Sequence, residues 1–253
     1  MLAEPHAAAA AEHAEEADHA VSIFYGPVNW LWDRIGPALG LGHLEVPDHV
    51  VMSLVVLGII SALVIPLRAS LSRENPGAFQ QILETVVEAL ANMIDDVVGE
   101  GAARKYLPFI GAFAFFIFIA NLTGQFFFLQ PPTQTIWVTL ALALVSFLFY
   151  HAVGFREHGF AYLKQFLGPV PWLIPLMLPI ELISHFARVL SLSIRLYGNI
   201  FGEHLAVGIF FGLVPFLLPL PLMALGLLAA VIQTFIFIIL STLYIAGAEA
   251  EAH

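Results

Sequence analysis

The sequence contains no cysteine, so it offers no disulfide framework, no thiolate metal site and no thiol nucleophile. Cations are scarce as well. Nine Lys and Arg stand against nineteen Asp and Glu, for a formal net charge of -10, and neutralising phosphates needs clustered cations that this chain does not have; nucleic acid is excluded as a partner. No phosphate-cradling Gly-Lys-Ser/Thr loop, no H-E-x-x-H and no G-x-S-x-G occurs, so neither nucleotide chemistry nor the usual zinc or serine hydrolase has its motif here. A basic, apolar leader is also missing. Residues 1–20 hold five acidic side chains, three histidines and no Lys or Arg, and they read as a flexible acidic tail rather than a targeting signal. The three histidines are irregularly spaced among alanines and suggest no metal site.

What is present is apolar. Hydrophobic residues make up 60% of the chain, charged ones 11%, and the mean hydropathy is +0.89, which describes an integral membrane protein. The stretch 50–67 is uncharged and 18 residues long, enough to cross a hydrocarbon core about 30 Å thick. Arg68 and Arg73 follow it and acidic sequence precedes it, so the positive-inside bias puts the N-terminus outside and Arg68 in the cytoplasm. Residues 76–98 carry Phe79, Ile82, Leu83, Val86, Val87, Leu90, Ile94 and Val97 at three- and four-residue steps, the pattern of an amphipathic helix. Its polar face bears Glu84, Glu88 and Asp95, which anionic lipid headgroups repel, so it is expected to pack on a partner or on the chain's own spans.

The stretch 106–155 has no Asp, Glu, Lys or Arg, and Pro131 and Pro132 divide it into the two arms of a helical hairpin. Arg104 and Lys105 before it, with Arg156 and Lys164 after it, place both ends in the cytoplasm. The stretch 170–213 is apolar but interrupted by Glu181, His185, Arg188, Arg195, Glu203 and His204. As one helix it would be about 65 Å long, so it forms either two spans or one steeply tilted helix. The uncharged run 222–248 closes the chain as a long final helix. The expected organisation is a mostly flexible, acidic external region at 1–46, one membrane domain at 47–248 and a short cytoplasmic tail at 249–253. The fold class is an all-α integral membrane protein with about five passes and one cytoplasmic amphipathic helix.

Ionised side chains inside apolar spans cost about 2.5 to 3.5 kcal/mol each on insertion scales, so they need a partner, a wet cavity or a task. Arg188 and Arg195 are the only Lys or Arg after Lys164. Glu181, Ser184, Arg188, Ser191, Arg195 and Asn199 recur every three or four residues and share one face of a helix. For Arg188, an ion pair with Glu181 that staples the helix to a neighbour competes with a functional role. Arg195 differs, because its neighbours one turn away are Ser191 and Asn199, both neutral. A guanidinium that never deprotonates suits a fixed positive charge that meets a carboxylate arriving from elsewhere. His49, His151 and His185 read as interfacial hydrogen-bonding groups at span ends, and the 22 Phe as packing or lipid-facing residues.

The segment SLSIRLYGN at 191–199 resembles the S-L-x-x-R-L-x-G/A-N signature of the subunit a family of bacterial F-type ATP synthases. VIQTFIF around Gln233 resembles that family's late Q-A-x-I-F motif, and NLTG beginning at Asn121 its N-L-x-G. The order of the motifs agrees, and the likeness extends from about residue 47 to 246. The resemblance implies a non-catalytic stator subunit of the proton-translocating membrane sector, without cofactor or metal. Its expected partners are the c-subunit ring, the peripheral-stalk b subunits, the rest of the complex and the lipid bilayer. The two long C-terminal helices would face the ring in a bacterial inner membrane. Arg195 would separate two aqueous half-channels, with Glu181, Ser184, Ser191, Asn199, Glu203, His204 and Gln233 along the proton path and Arg188 and Asn121 as secondary candidates. Two features depart from the family. Glu203 and His204 stand together where one titratable residue is usual, leaving open which takes that role, and Gly226 stands seven residues before Gln233 where many relatives carry Glu or His. Glu203 is therefore a candidate replacement for the group missing at Gly226. An independent secondary transporter would instead show internal repeats, and the two halves of this chain show no self-similarity.

Overall fold

Uncharged runs of this length leave the backbone no water to bond to, and helices satisfy every N–H and C=O within the segment. The computed structural model describes residues 24–35, 46–72, 76–126, 129–162, 174–213, 217 and 219–250. Its helices are α1 (Tyr25–Ile35), α2 (Asp48–Ser70), α3 (Ala78–Val98), α4 (Ala103–Thr123), α5 (Ile136–His158), α6 (Ile174–Leu213) and α7 (Pro219–Glu249), with 3-10 turns at Pro132–Gln134 and Gly159–Ala161. Five of the described helices, α2 and α4 to α7, are long and apolar enough to span a membrane. The first span, the hairpin and the final helix lie where the sequence places them. The acidic tail at 1–20, Arg73, Lys164 and residues 251–253 lie outside the described residues.

Of the two readings of 170–213, the structure has the single helix. α6 runs unbroken for 40 residues through Pro179, about 60 Å at 1.5 Å per residue and so about twice the thickness of a hydrocarbon core of about 30 Å. Pro175 falls in the first turn, where N–H groups lack intrahelical partners in any case, whereas Pro179 lies one turn further in and leaves the Pro175 carbonyl without its helical N–H.

The core lies between α4, α5 and α7. Phe109 of α4 stacks on Phe149 of α5 with ring centroids 3.6 Å apart, and Phe113 stacks on Phe237 of α7 at 5.5 Å. α5 buries Thr139, Ala143, Ser146, Tyr150 and Val153, a stripe stepping by four and three residues. Its hydroxyls are paired across helices: Ser146 Oγ donates to Ser241 Oγ at 3.0 Å, and Thr139 and Ser193 share a hydrogen bond at 3.1 Å. α6 packs on α5 and α7.

The amphipathic α3 packs on α4 and α7, burying Leu90 and Ile94, so the chain's own spans are its partner. Its acidic face does local work. Asp95 Oδ1 accepts the Ala103 N–H at 2.7 Å, capping α4, while Gly99 at φ +136° makes the intervening turn. The two ends of the bundle differ. At one, Lys105 bonds Glu157 and Glu249, tying α4, α5 and α7 together. At the other, Thr133 donates to the fully buried Asn121 Oδ1 at 2.8 Å and fastens the proline turn to α4.

Candidate functional site

Continuity of α6 puts the predicted polar stripe on a single rod. From Glu181 to Glu203 it rises about 33 Å, one hydrocarbon thickness, with Arg195 about 21 Å along it. Glu181, Ser184 and Arg188 are half-buried against α5 and α7, whereas Ser191, Arg195 and Asn199 are exposed on the outer side of the bundle. Around Arg195 the apolar residues Leu190 and Ile194 are likewise more than half exposed, so the arginine stands in an uncovered greasy face.

Among the described residues no carboxylate lies within ion-pair distance of Arg195. One turn on, Asn199 Nδ2 donates to Gln233 Oε1 at 2.7 Å, joining α6 to α7. Gln233 is 1% exposed and its Nε2 has no partner among the described residues, which leaves a buried donor beside this junction. Asn199 and Gln233, assigned separately from sequence, are thus one hydrogen-bonded unit. Ser191 and Ser184 stay on the stripe, and buried Ser193 faces the other way, to Thr139.

Toward the Lys105 end, Glu181 Oε1 lies 3.3 Å from His185 Nε2, and Arg188 turns instead over the Tyr244 ring, 5.4 Å from its centroid. A Glu181–Arg188 staple is therefore not the arrangement found. His185, read from sequence as an interfacial hydrogen-bonder, is hydrogen-bonded but buried at 7% exposure, with Nδ1 2.8 Å from the Tyr150 hydroxyl.

Toward the proline-turn end, Gln125 Nε2 donates to Glu203 Oε1 at 2.8 Å. The Glu203 carboxylate occupies the space where any side chain on Gly226 would begin, so the glycine is a notch on α7 that receives the acid from α6. His204 Nδ1 donates to the Ile200 carbonyl at 3.0 Å, and its ring lies so close to Gly124 that an added Cβ would stand 2.8 Å from Cε1. The NLTG segment thereby acquires a physical meaning: Asn121 holds the turn, and Gly124 makes room for the imidazole.

The sequence reading did not single out Gln125 or Tyr150. Each is a polar group in an otherwise apolar arm whose helical phase only the packing reveals. The assembled site has titratable groups at both ends, amides and hydroxyls between them, and, on an open face, a fixed cation with no carboxylate partner among the described residues. A guanidinium that stays protonated can hold a carboxylate presented from outside the chain.

A family model described as ATP synthase A chain matches residues 50–246. ATP synthase subunit a 1 of Syntrophotalea carbinolica is 42% identical over 229 residues, covering 89% of this chain and 97% of that one. ATP synthase subunit a of Geotalea uraniireducens is 44% identical over 178 residues, covering 70% of this chain and 77% of that one. ATP synthase subunit a of Desulfotalea psychrophila is 46% identical over 179 residues, covering 70% and 75% respectively.

Proposed function

The chain belongs to the ATP synthase A chain family, and from that premise we propose that Arg195 is the gate between two aqueous half-channels that couple proton flow to rotation of a c-subunit ring. The observation that carries this reading is the position of Arg195: exposed on the outer face of α6, without a carboxylate partner among the described residues, and between two polar clusters about one bilayer thickness apart.

The physics is a contrast of environments. A ring carboxylate beside Arg195 is held ionised by the fixed positive charge, whereas the same carboxylate against lipid keeps its proton. A proton therefore enters through one cluster, rides the ring and leaves through the other, and Arg195 blocks the direct path between them. Glu203, His204 and Gln125 serve the half-channel at the proline-turn end, with Glu203 replacing the group missing at Gly226. Glu181, Ser184 and Arg188 serve the half-channel at the Lys105 end, and Asn199 with Gln233 borders Arg195. Asn121 supports the first cluster through the turn. By the positive-inside rule the Lys105 and Arg156 end is cytoplasmic, in a bacterial inner membrane, with the N-terminus outside and 249–253 as the cytoplasmic tail. The subunit has no catalysis of its own; the ring, the b subunits and the remaining subunits complete the machine.

The absence of cysteine makes a direct test clean. Single cysteines at Ser184 and at Gln125 are expected to react with a membrane-impermeant thiol reagent from opposite sides, Ser184→Cys from the cytoplasm and Gln125→Cys from outside. Reaction of both from the same side would remove the two-half-channel arrangement.

A further inference from the structure

At the Lys105 end, two groups that the proton path as described does not use, His185 and Tyr150, form a line with Glu181 across two helices. Glu181 and His185, four residues apart, share a face of α6, and His185 reaches across to Tyr150 of α5. We propose that Tyr150 and His185 are positioning residues for Glu181, fixing the direction in which its carboxylate accepts a proton at the cytoplasmic half-channel. This rests on the reading that Glu181 lies on that path.

The argument is one of hydrogen-bond polarity. A neutral imidazole has one N–H and one lone pair, and whichever bond one nitrogen makes decides what the other offers. With the Tyr150 hydroxyl donating to Nδ1 at 2.8 Å, the ring proton sits on Nε2 and points at the Glu181 carboxylate 3.3 Å away. An N–H offered to a carboxylate occupies one of its lone pairs, so a phenol on α5 orients the acid on α6 through the ring between them, and a ring lone pair in that place would accept the acid's proton instead. Among the described residues, the charged and titratable groups facing this line are Glu181 and Arg188 on α6, Tyr150 and His151 on α5, Tyr244 on α7 and Tyr162 beyond α5. The His151 ring lies 5.0 Å from the His185 ring, and Arg188 follows one turn later on α6. His151 is itself engaged with the Tyr162 hydroxyl at 2.8 Å, and the Tyr150 hydroxyl is the phenol bonded to His185.

ATP-driven proton pumping by the intact complex in inverted membrane vesicles, measured against outer pH, tests this because the cytoplasmic side then faces the medium. Tyr150→Phe removes the hydroxyl and keeps the ring, freeing His185 to turn its lone pair toward Glu181. The alkaline limb of the profile is expected to rise by about one pH unit, a tenfold change in proton affinity. His185→Gln, whose amide keeps an N–H near the Nε2 position, is expected to hold the wild-type profile, and adding Tyr150→Phe to it is expected to change nothing further. A merely structural staple would lower activity at every pH without moving the limb, and that result overturns the proposal. Should Tyr150→Phe fail to assemble, His185→Gln against His185→Phe reads the same shift. Glu181→Gln separates the two levels: if it leaves the profile untouched, the reading of Glu181 falls and the positioning role with it; if it alters the profile while Tyr150→Phe does not, only the positioning role falls.

Discussion

Gly226→Ala adds a single methyl, and its consequence can be worked from the notch. The new Cβ would coincide with the Glu203 carboxylate, so the side chain has to rotate away from α7. In doing so it gives up the 2.8 Å bond from Gln125. A hydrogen bond to a charged acceptor contributes about 1.5 to 3 kcal/mol, which converts to a loss of about 10- to 150-fold in the population of correctly placed Glu203. The assay is acidification of inverted vesicles driven by ATP, normalised to ATPase activity and to the amount of subunit retained with the ring. Gly226→Ala is expected to fall at least several-fold while assembly is preserved. Gln125→Leu removes the donor without filling the notch, and because both variants act on the same bond their combination is expected to be far from additive. Wild-type pumping by Gly226→Ala would refute the reasoning, since it would mean that the placement of Glu203 does not matter.

Asp95→Ala removes the cap on the Ala103 N–H and is expected to cost about 1 kcal/mol, seen as a lower thermal midpoint of the purified complex, whereas Asp95→Asn retains most of it. Gly124→Ala is expected to displace the His204 ring and slow pumping, and the same change in a His204→Ala background is expected to have little further effect; equal losses in both backgrounds would place the fault elsewhere.

Much of this architecture is written in periodicity and charge. The hairpin was legible because 106–155 contains no charge and breaks at Pro131 and Pro132, and the single α6 was one of two readings because a helix twice the core thickness needs neighbours to lie against. The stripe from Glu181 to Asn199 follows from helical spacing alone. What the spacing leaves open is which residues meet across helices. Asn199 and Gln233 are 34 residues apart and depend on the rotation of two helices about their own axes, while Gln125 and Glu203 are 78 apart and depend on where the turn after α4 meets α6. Tyr150 and His185 are the instructive case. Thr139, Ser146 and Tyr150 mark a polar seam in an uncharged span, a signal visible in the sequence, but its partners on α6 and α7 become evident only once the three helices are packed. The departure at Gly226 finds its physical counterpart in the same way, because the small residue and the extra acid at Glu203 occupy one volume.

The central claim is that Arg195 separates the two half-channels, and the most direct measurement is proton flux through membranes carrying Arg195→Ala, with assembly checked by co-purification of the ring. The account predicts an assembled complex in which ATP-driven pumping is abolished, because no fixed charge remains to hold a ring carboxylate ionised between the half-channels. Pumping near the wild-type rate from an assembled Arg195→Ala complex would contradict it and return the arginine to a structural role.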